Sequence, residues 1–142
     1  MKKIVLMLVT ELITSFTYAQ KIKDKDVPAA VISAFQKKYL AAKEISWEKE
    51  NGNYEVNFDL NEIDNSVVYD EKGTVLETEV EIELSQLPAG VLEYVKTNYA
   101  GKKVKEAARI TDAKGVITYE VEIKGKDLIF DSNGKFIKEM QD

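Results

Sequence analysis

The sequence contains no cysteine and no histidine. The absence of cysteine excludes a disulfide framework and thiolate chemistry. The absence of histidine excludes the usual serine–histidine catalytic systems, and together the two absences exclude zinc sites built on these residues. Carboxylates, lysines, tyrosines and hydroxyl groups remain for chemistry. We therefore expect a protein that is not an enzyme, with no catalytic residue and no cofactor.

Arginine is almost absent as well, since Arg109 is the single arginine in a chain of 142 residues with a net charge of −5. Nucleic-acid binding depends on phosphate neutralisation by basic side chains, so we do not expect a nucleic-acid partner. The same charge argues against binding to anionic membrane surfaces. It favours a protein partner with a basic surface, which the acidic chain attracts electrostatically.

Long apolar runs are lacking, and the first residues carry only a short one. Two lysines precede this apolar stretch, Glu11 interrupts it, and Thr17–Ala19 places small residues just before Gln20. The pattern is typical of a signal peptide and is too short for a membrane-spanning helix. We predict a signal peptide over residues 1–19 and a periplasmic or secreted mature chain that does not insert into the membrane. An amphipathic N-terminal helix is the alternative.

One phrase occurs twice in the chain. VPAAVISAFQKKY (Val27–Tyr39) and LPAGVLEYVKTNY (Leu87–Tyr99) share an early proline, apolar residues at helical spacing and a final tyrosine. Proline is favoured in the first turn of a helix, and the spacing predicts an amphipathic helix. Similar strand sequences follow each phrase, YEVNF and YEVEI, then VVYDEKGTV and LIFDSNGKF. The duplication predicts two units, residues 20–84 and 85–142.

The predicted strands alternate apolar and polar side chains. Tyr54, Val56 and Phe58 point to one side of their strand, and Glu55 and Asn57 point to the other. Such alternation, with Asn-Gly and Asp-x-x-Gly turns between strands, is typical of an antiparallel sheet with one solvated face. The predicted fold class is therefore α+β. Each of two tandem repeats has one helix packed on a four-stranded antiparallel sheet, and the two sheets join into one larger antiparallel sheet.

Acidic residues are concentrated on the polar side of these strands. In TVLETEVEIELS, glutamate occupies every second position, so the carboxylates are spaced by about 6.6–6.8 Å. We predict an acidic face that binds another secreted or envelope protein; the alternatives are a weak calcium-binding patch and a solvated face whose charge prevents edge-to-edge aggregation. The candidate binding residues are Glu55, Asp59, Glu77, Glu79, Glu81, Glu83, Glu120 and Glu122.

Two aromatic residues are further candidates for contacts with a partner. Trp47 is the single tryptophan, and Tyr69 lies in a strand whose neighbour Val68 is also apolar. Tryptophan is enriched in interface hot spots, so both residues are possible aromatic anchors. The alternative is packing in the core against a helix.

Neither metal binding nor carboxylate catalysis has a specific signal. DSNGKFI and DLNEIDN contain fragments of calcium-loop sequences without the twelve-residue spacing of an EF-hand. An aspartate before a glycine turn is better explained by local hydrogen bonds to the backbone. Glycoside hydrolysis needs a carboxyl group with a raised pKa in a cleft, and the acids are expected on a solvated face. No metal site is predicted.

These features together resemble the PepSY-like family, secreted proteins similar to beta-lactamase inhibitory proteins. The second unit departs from the family pattern because Ala107 or Ala108 stands where a tryptophan is expected. The resemblance implies tandem helix-on-sheet units and a secreted or periplasmic location, but no activity and no assigned functional residue. It is carried by Pro28, Pro88, Trp47, the Tyr54–Val56 strand, and the turns at Asp70 and Asp131.

Three functional hypotheses follow, one of which is a structural or stability role in the envelope with no dedicated ligand. The first is a secreted, non-catalytic binding module that is protein-binding or inhibitor-like and uses its acidic sheet face. The alternative is a periplasmic binder or sensor of a small ligand or ion. The alternative predicts a pocket between helix and sheet, lined by residues such as Trp47 and Tyr54.

Overall fold

The computed structural model describes residues 19–141. The predicted signal peptide lies outside these residues, apart from Ala19, and stays a prediction. The described chain forms two α-helices and nine β-strands. The helices are α1 (Ala29–Lys38) and α2 (Val91–Asn98); the strands are β1 (Gln20–Ile22), β2 (Lys43–Glu50), β3 (Asn53–Leu60), β4 (Ile63–Tyr69), β5 (Val75–Ile82), β6 (Glu106–Asp112), β7 (Ile117–Ile123), β8 (Lys126–Asp131) and β9 (Phe136–Gln141).

The strands follow sequence order, β1 to β9, in one antiparallel sheet. The α+β class and the single larger sheet are therefore confirmed. The short strand β1 is an addition that was not predicted, because three residues are too few to show an alternation. The chain divides into two compact units, one through Thr78 and one from Glu79 onward. This division lies within β5, whereas the sequence repeat suggested a boundary between residues 84 and 85.

The core of unit 1 lies between α1 and one face of its strands. Val31 and Phe35 of α1 are buried, as the repeated phrase predicted. The ring of Phe35 meets Trp47 and Phe58 edge-on, with centroid distances of 5.5 and 5.0 Å. The edge-to-face geometry is the arrangement that aromatic pairs prefer. The buried core cluster is Val27, Val31, Phe35, Trp47, Tyr54, Val56, Phe58, Val67 and Tyr69.

Unit 2 repeats this plan with smaller side chains. Val91 and Val95 of α2 are buried, and Tyr94 stacks on Phe136 with a centroid distance of 4.9 Å. Ala107 is buried opposite Val121, near the position where the family pattern expects a tryptophan. The buried core cluster is Val91, Val95, Val121, Ile123, Leu128 and Phe130.

The aspartate turns are held by local hydrogen bonds. Asp70 Oδ1 accepts the backbone N–H groups of Lys72 and Thr74, each at 2.9 Å. Asp112 and Asp131 accept the backbone N–H groups two and four residues further on in the same way. These bonds lower the pKa of the Asp70 carboxyl, first through the N–H of Thr74. The interpretation of these aspartates as turn-forming residues is confirmed.

Two of these turns contact the start of a helix in their own unit. Gly73 lies against Ala30 of α1, and Gly134 lies against Ala89, just before α2. The duplicated chain thus uses the same close approach of a turn to a helix in both units.

Candidate functional site

Four of the eight acidic residues proposed to lie on a solvated face are buried. These are Glu55, Glu77, Glu79 and Glu120. The prediction of a solvated face is therefore wrong at these positions. Of the other four, Asp59, Glu81 and Glu122 are half-buried, and Glu83 is exposed.

Apolar neighbours on adjacent strands explain this burial. Glu55 is paired with Val68 of β4, which is itself buried on the sheet face opposite α1. Glu120 lies between Ala108 of β6 and Ile129 of β8, and both are buried. Each strand alone shows an alternation that suggests a solvated polar face. The neighbouring strands supply apolar side chains to that same face, and this is visible only once the register is known.

In unit 1 several carboxylates surround Glu55, which is only 6% exposed. Burial first, and then the charges of Glu48, Glu50 and Glu77, raise its pKa to about 8, against a lowering hydrogen bond from Asn57. Glu48 is the direct cross-strand neighbour of Glu55 on β2. We call Glu48, Glu50, Glu55 and Glu77 the acidic cluster.

Three buried oxygens beside this cluster have no hydrogen-bond partner among residues 19–141. They are Glu55 Oε1, Asn57 Oδ1 and Ser66 Oγ. Asn57 lies directly opposite Ser66 in the register of β3 and β4, and Ser66 is 0% exposed. Buried polar atoms are nearly always hydrogen-bonded, so three such oxygens on one strand pair are unusual. We call Glu55, Asn57 and Ser66 the three-oxygen site.

In unit 2 two lysines form ion pairs with glutamates of the strands. Lys105 Nζ donates to Glu122 Oε1 at 2.5 Å. Lys126 Nζ and the Tyr99 hydroxyl donate to the two carboxylate oxygens of Glu139, each at 2.5 Å. The hydrogen bond to Glu139 is the first cause that raises the pKa of Tyr99 to about 12. The lysine bond, followed by the tyrosine bond, lowers the pKa of Glu139.

The two proposed aromatic anchors lie in the core of unit 1. Trp47 is 2% exposed and Tyr69 is 1% exposed, so neither ring is on the surface where it could anchor a partner. The core interpretation, weighed beside the anchor hypothesis, describes both residues. Burial is the first cause that raises the pKa of the Tyr69 hydroxyl, to about 12. Trp47 and Tyr69 are buried because the register of their strands directs both side chains to the α1 side of the sheet.

A pocket of about 280 Å³ opens beside Trp47. Its apolar floor includes Phe35 and Trp47, and Ile45 of β2 is a partly exposed wall. The pocket lies between α1 and the sheet, close to where the small-ligand hypothesis expected one, although Tyr54 does not line it. The lining residues are Asp24, Lys25, Ile32, Phe35, Gln36, Ile45 and Trp47.

Two further observations concern metal ligands and membrane-spanning helices. Within residues 19–141, no three acidic side chains stand close enough to one another to hold a metal ion. No helix in the same range is long and apolar enough to cross a membrane.

Sequence reasoning missed part of the acidic cluster and most of the three-oxygen site. Glu48 and Glu50 follow the alternation of β2, so they were detectable as outward-facing residues. Asn57 and Ser66 carry no charge and gave no signal. Only the pairing of β3 with β4 brings Ser66 beside Asn57.

A family model described as "Putative beta-lactamase-inhibitor-like, PepSY-like" matches residues 15–77 and again residues 65–138. The two matches overlap over residues 65–77. No curated protein matches the chain.

Several solved structures share the fold. A "putative periplasmic" protein from Bacteroides eggerthii has a TM-score of 0.72 at 16% identity, covering 81% of this chain and 88% of its own. A DUF2874 family protein from Bacteroides ovatus has a TM-score of 0.68 at 22% identity, covering 82% and 89%. A BLIP-like protein from Bacteroides fragilis has a TM-score of 0.62 at 23% identity, covering 80% and 86%.

At these identities the structural likeness shows the fold alone. The family follows from the model matches, which together span most of the chain, and from the repeat that they reproduce. This chain belongs to the PepSY-like, beta-lactamase-inhibitor-like family.

Proposed function

We propose that this protein is an exported, non-catalytic binding module that binds the basic surface of another envelope protein through the acidic cluster of unit 1. The observation that carries the proposal is the environment of Glu55. A carboxyl group is buried beside three other glutamates, and one of its oxygens lacks a hydrogen-bond partner among the described residues. Such an arrangement costs folding stability, and strongly shifted carboxyl groups of this kind are enriched at functional sites.

A basic partner would offset this cost. A cation placed beside the cluster supplies both opposite charge and hydrogen-bond donors to groups that otherwise repel one another. Glu48 and Glu50 are half-buried, so the cluster is accessible from the β2 side. The net charge of −5 attracts the same class of partner at longer range.

The absence of catalysis is part of the proposal. The chain has no histidine or cysteine, and the family is described as inhibitor-like. The shifted carboxyl of Glu55 lies on a sheet face and does not line the pocket beside Trp47. General acid–base catalysis requires a carboxyl group within hydrogen-bond reach of a bound substrate, and Glu55 is not placed at the pocket where one could bind.

Export is supported by the N-terminal sequence pattern and by the word periplasmic in the description of the Bacteroides eggerthii relative. We expect the mature protein in the periplasmic fraction to begin at Gln20, where β1 also begins. Mass spectrometry of the intact protein purified from that fraction measures this N-terminus directly. A chain that retains residues 1–19 would contradict the prediction.

Charge reversal at the accessible edge of the cluster tests the binding function. Replacing both Glu48 and Glu50 by lysine should weaken binding to the native partner at least tenfold, since each change removes an attraction and adds a repulsion. The partner is first captured from the envelope extract with the wild-type mature chain. It is then purified, and its dissociation constant is measured for each variant at several salt concentrations.

The matched control is the double variant Glu71→Lys and Glu93→Lys, in which two exposed glutamates that are not members of the cluster are reversed. It has the same net charge as the test variant and should bind the partner nearly as well as wild type. If the two double variants lose the same affinity, net charge alone governs binding, and the cluster is not the site.

The pocket beside Trp47 supports a second candidate function, the binding of a small apolar ligand. A cavity of about 150 Å³ can hold benzene, so one of about 280 Å³ accommodates a molecule of one or two rings. Because Trp47 is the single tryptophan, its fluorescence reports on the pocket without labelling.

We expect a ligand of this class to shift the emission of Trp47 and to raise the melting temperature. At about 100 times its dissociation constant, the ligand should stabilise the fold by about 2.7 kcal/mol. The change Ile45→Asp, in the pocket wall, should abolish both effects, while Ile63→Asp, at a similarly exposed isoleucine outside the pocket, should not. A screen of one- and two-ring compounds that moves neither signal would remove this candidate.

A further inference from the structure

The three-oxygen site is compact. Asn57 and Ser66 are directly opposite each other, and Glu55 is two residues along β3 on the same face. Opposite side chains of an antiparallel pair have Cβ atoms about 4.5–5.5 Å apart, and alternate residues of one strand are about 6.8 Å apart. A single small group between these side chains can therefore reach Glu55, Asn57 and Ser66 together.

The oxygens of the three-oxygen site lack hydrogen-bond donors among the described residues. The amide of Asn57 already gives a hydrogen bond to the Glu55 carboxyl, yet Glu55 Oε1 and Asn57 Oδ1 accept none from residues 19–141. Ser66 Oγ can accept as well as donate. A group that enters with several N–H donors satisfies all three oxygens, and leaving buried acceptors unsatisfied is costly.

The three oxygens are covered, and the least buried neighbours of the site lie on β2. On β2, Ser46 lies opposite Asn57 and is exposed, and Glu48 lies opposite Glu55 and is half-buried. On β4, Val68 and Ser66 are buried and close the other side. A group that arrives across β2 must displace the side chain of Glu48 to reach the oxygens, and a long flexible side chain with a small end group requires the smallest displacement.

The surrounding charge selects a cation. Glu48 and Glu50 face Glu55 from β2, and Glu77 acts on it from β5. The groups facing it from β4 are the uncharged Val68 and Ser66. An incoming positive charge is attracted by Glu48, Glu50 and Glu77, and by Glu55 once its carboxyl has released its proton.

We propose that the three-oxygen site binds the ammonium group of one lysine side chain of the partner protein. An ammonium group has three donors and is a compact point charge on a flexible stem, which matches three acceptors reached from one side. The planar guanidinium of arginine carries five donors and suits a carboxylate approached edge-on. This inference rests on the proposed function and names the group that the acidic cluster recognises.

Binding of the ammonium group releases a proton. Burial and the neighbouring glutamates raise the pKa of Glu55 to about 8, so near neutral pH its carboxyl is protonated. When the ammonium group binds, the carboxyl proton passes to solvent, and the resulting carboxylate accepts a hydrogen bond from the ammonium. One proton leaves for each lysine bound. Affinity therefore increases up to about tenfold for each pH unit as the pH rises toward about 8.

The test uses Nα-acetyl-lysine-N-methylamide as a probe on the mature chain, with the arginine analogue and calcium chloride as parallel arms. The carboxyl carbon signal of Glu55 is followed by NMR across the pH range, with and without probe. The lysine probe should lower the pKa of Glu55 by at least one unit, so that it binds at least about fivefold more tightly near pH 8 than near pH 6. Glu55→Gln should abolish this pH dependence, and Ser66→Ala should weaken binding, while Glu71→Gln should change neither.

Each outcome bears on the site separately from the proposed function. If the lysine probe, up to its solubility limit, leaves the Glu55 signal unchanged, the lysine site is overturned. The same holds if the arginine analogue or calcium shifts that signal and lysine does not. Partner binding that depends on Glu48 and Glu50 would still uphold the proposed function. If replacing Glu48 and Glu50 does not weaken partner binding but the lysine probe still shifts the Glu55 signal, the proposed function is overturned and the lysine site is upheld.

Discussion

Replacing Gly73 or Gly134 by alanine should destabilise the unit that contains it by roughly 2–4 kcal/mol. Gly73 has φ = 83° and Gly134 has φ = 82°, a region that L-residues with a side chain adopt only at a cost. A Cβ at Gly73 would lie 2.7 Å from the carbonyl oxygen of Ala30, and at Gly134 it would lie 2.7 Å from that of Ala89. Both contacts are with backbone atoms, so a side-chain rotation cannot relieve them.

The strain falls where each turn meets its helix. At Gly73 the added methyl would also lie 3.3 Å from Ala34 Cβ of α1. The turn must therefore move away from the helix, which loosens packing along the α1 core of unit 1. Urea denaturation of each variant, followed by circular dichroism, measures the free energy of unfolding.

Two other glycines are matched controls for the backbone cost. Gly52 and Gly125 each have φ = 81°, and an added Cβ at either has nothing within 4 Å. Alanine there should cost only about 1–2 kcal/mol, for the left-handed conformation alone. If Gly73→Ala and Gly52→Ala cost the same, the close approach of turn and helix does not contribute to stability.

Replacing Glu55 by glutamine should make the protein more stable than wild type above about pH 8 and remove most of the pH dependence contributed by this residue. In the native state the Glu55 carboxyl has a pKa of about 8, whereas in the unfolded chain its pKa is 4.5. Between these two pH values the native carboxyl keeps its proton and the unfolded one has released it. The native state therefore binds more protons than the unfolded state between these two values. Native stability falls as the pH rises through that interval and levels off above about 8.

The size of the effect follows from the two pKa values. Because each pKa unit corresponds to about 1.36 kcal/mol, the full loss contributed by Glu55 is roughly 4–5 kcal/mol. Below about pH 4.5 the carboxyl is protonated in both states, and the variant and wild type should have similar stability. Urea denaturation at intervals from about pH 4 to pH 9 gives both curves.

Glu71→Gln provides the control for this experiment. Glu71 lies in the exposed turn between β4 and β5, so its replacement should leave the wild-type pH profile nearly unchanged. Parallel profiles for Glu55→Gln and wild type between pH 5 and pH 8 would contradict the raised pKa. They would also remove the main support for the acidic cluster as a binding site.

The local features of the chain were predictable because they depend on near neighbours. The spacing of Val31 and Phe35 predicts the buried face of α1, and the alternation of Tyr54, Val56 and Phe58 predicts which side of β3 faces it. The aspartate turns follow from hydrogen bonds that span only four residues. The repeat itself predicts that unit 2 uses the same plan as unit 1.

The candidate site was only partly predictable because it depends on contacts across strands. Glu55 was expected in solvent, but Val68 on the next strand buries it and shifts its pKa. Trp47 was open to two interpretations until its register placed it under Phe35.

The sequence by itself determined the duplication, the α+β class, the inward face of each element and the acidic character of the surface. Each of these depends on periodicity or composition, which are properties of the linear chain. Only the tertiary structure decided which carboxyl groups lose contact with water and which oxygens are left without donors. Both depend on strand register, and a register joins residues such as Asn57 and Ser66 that no local pattern relates.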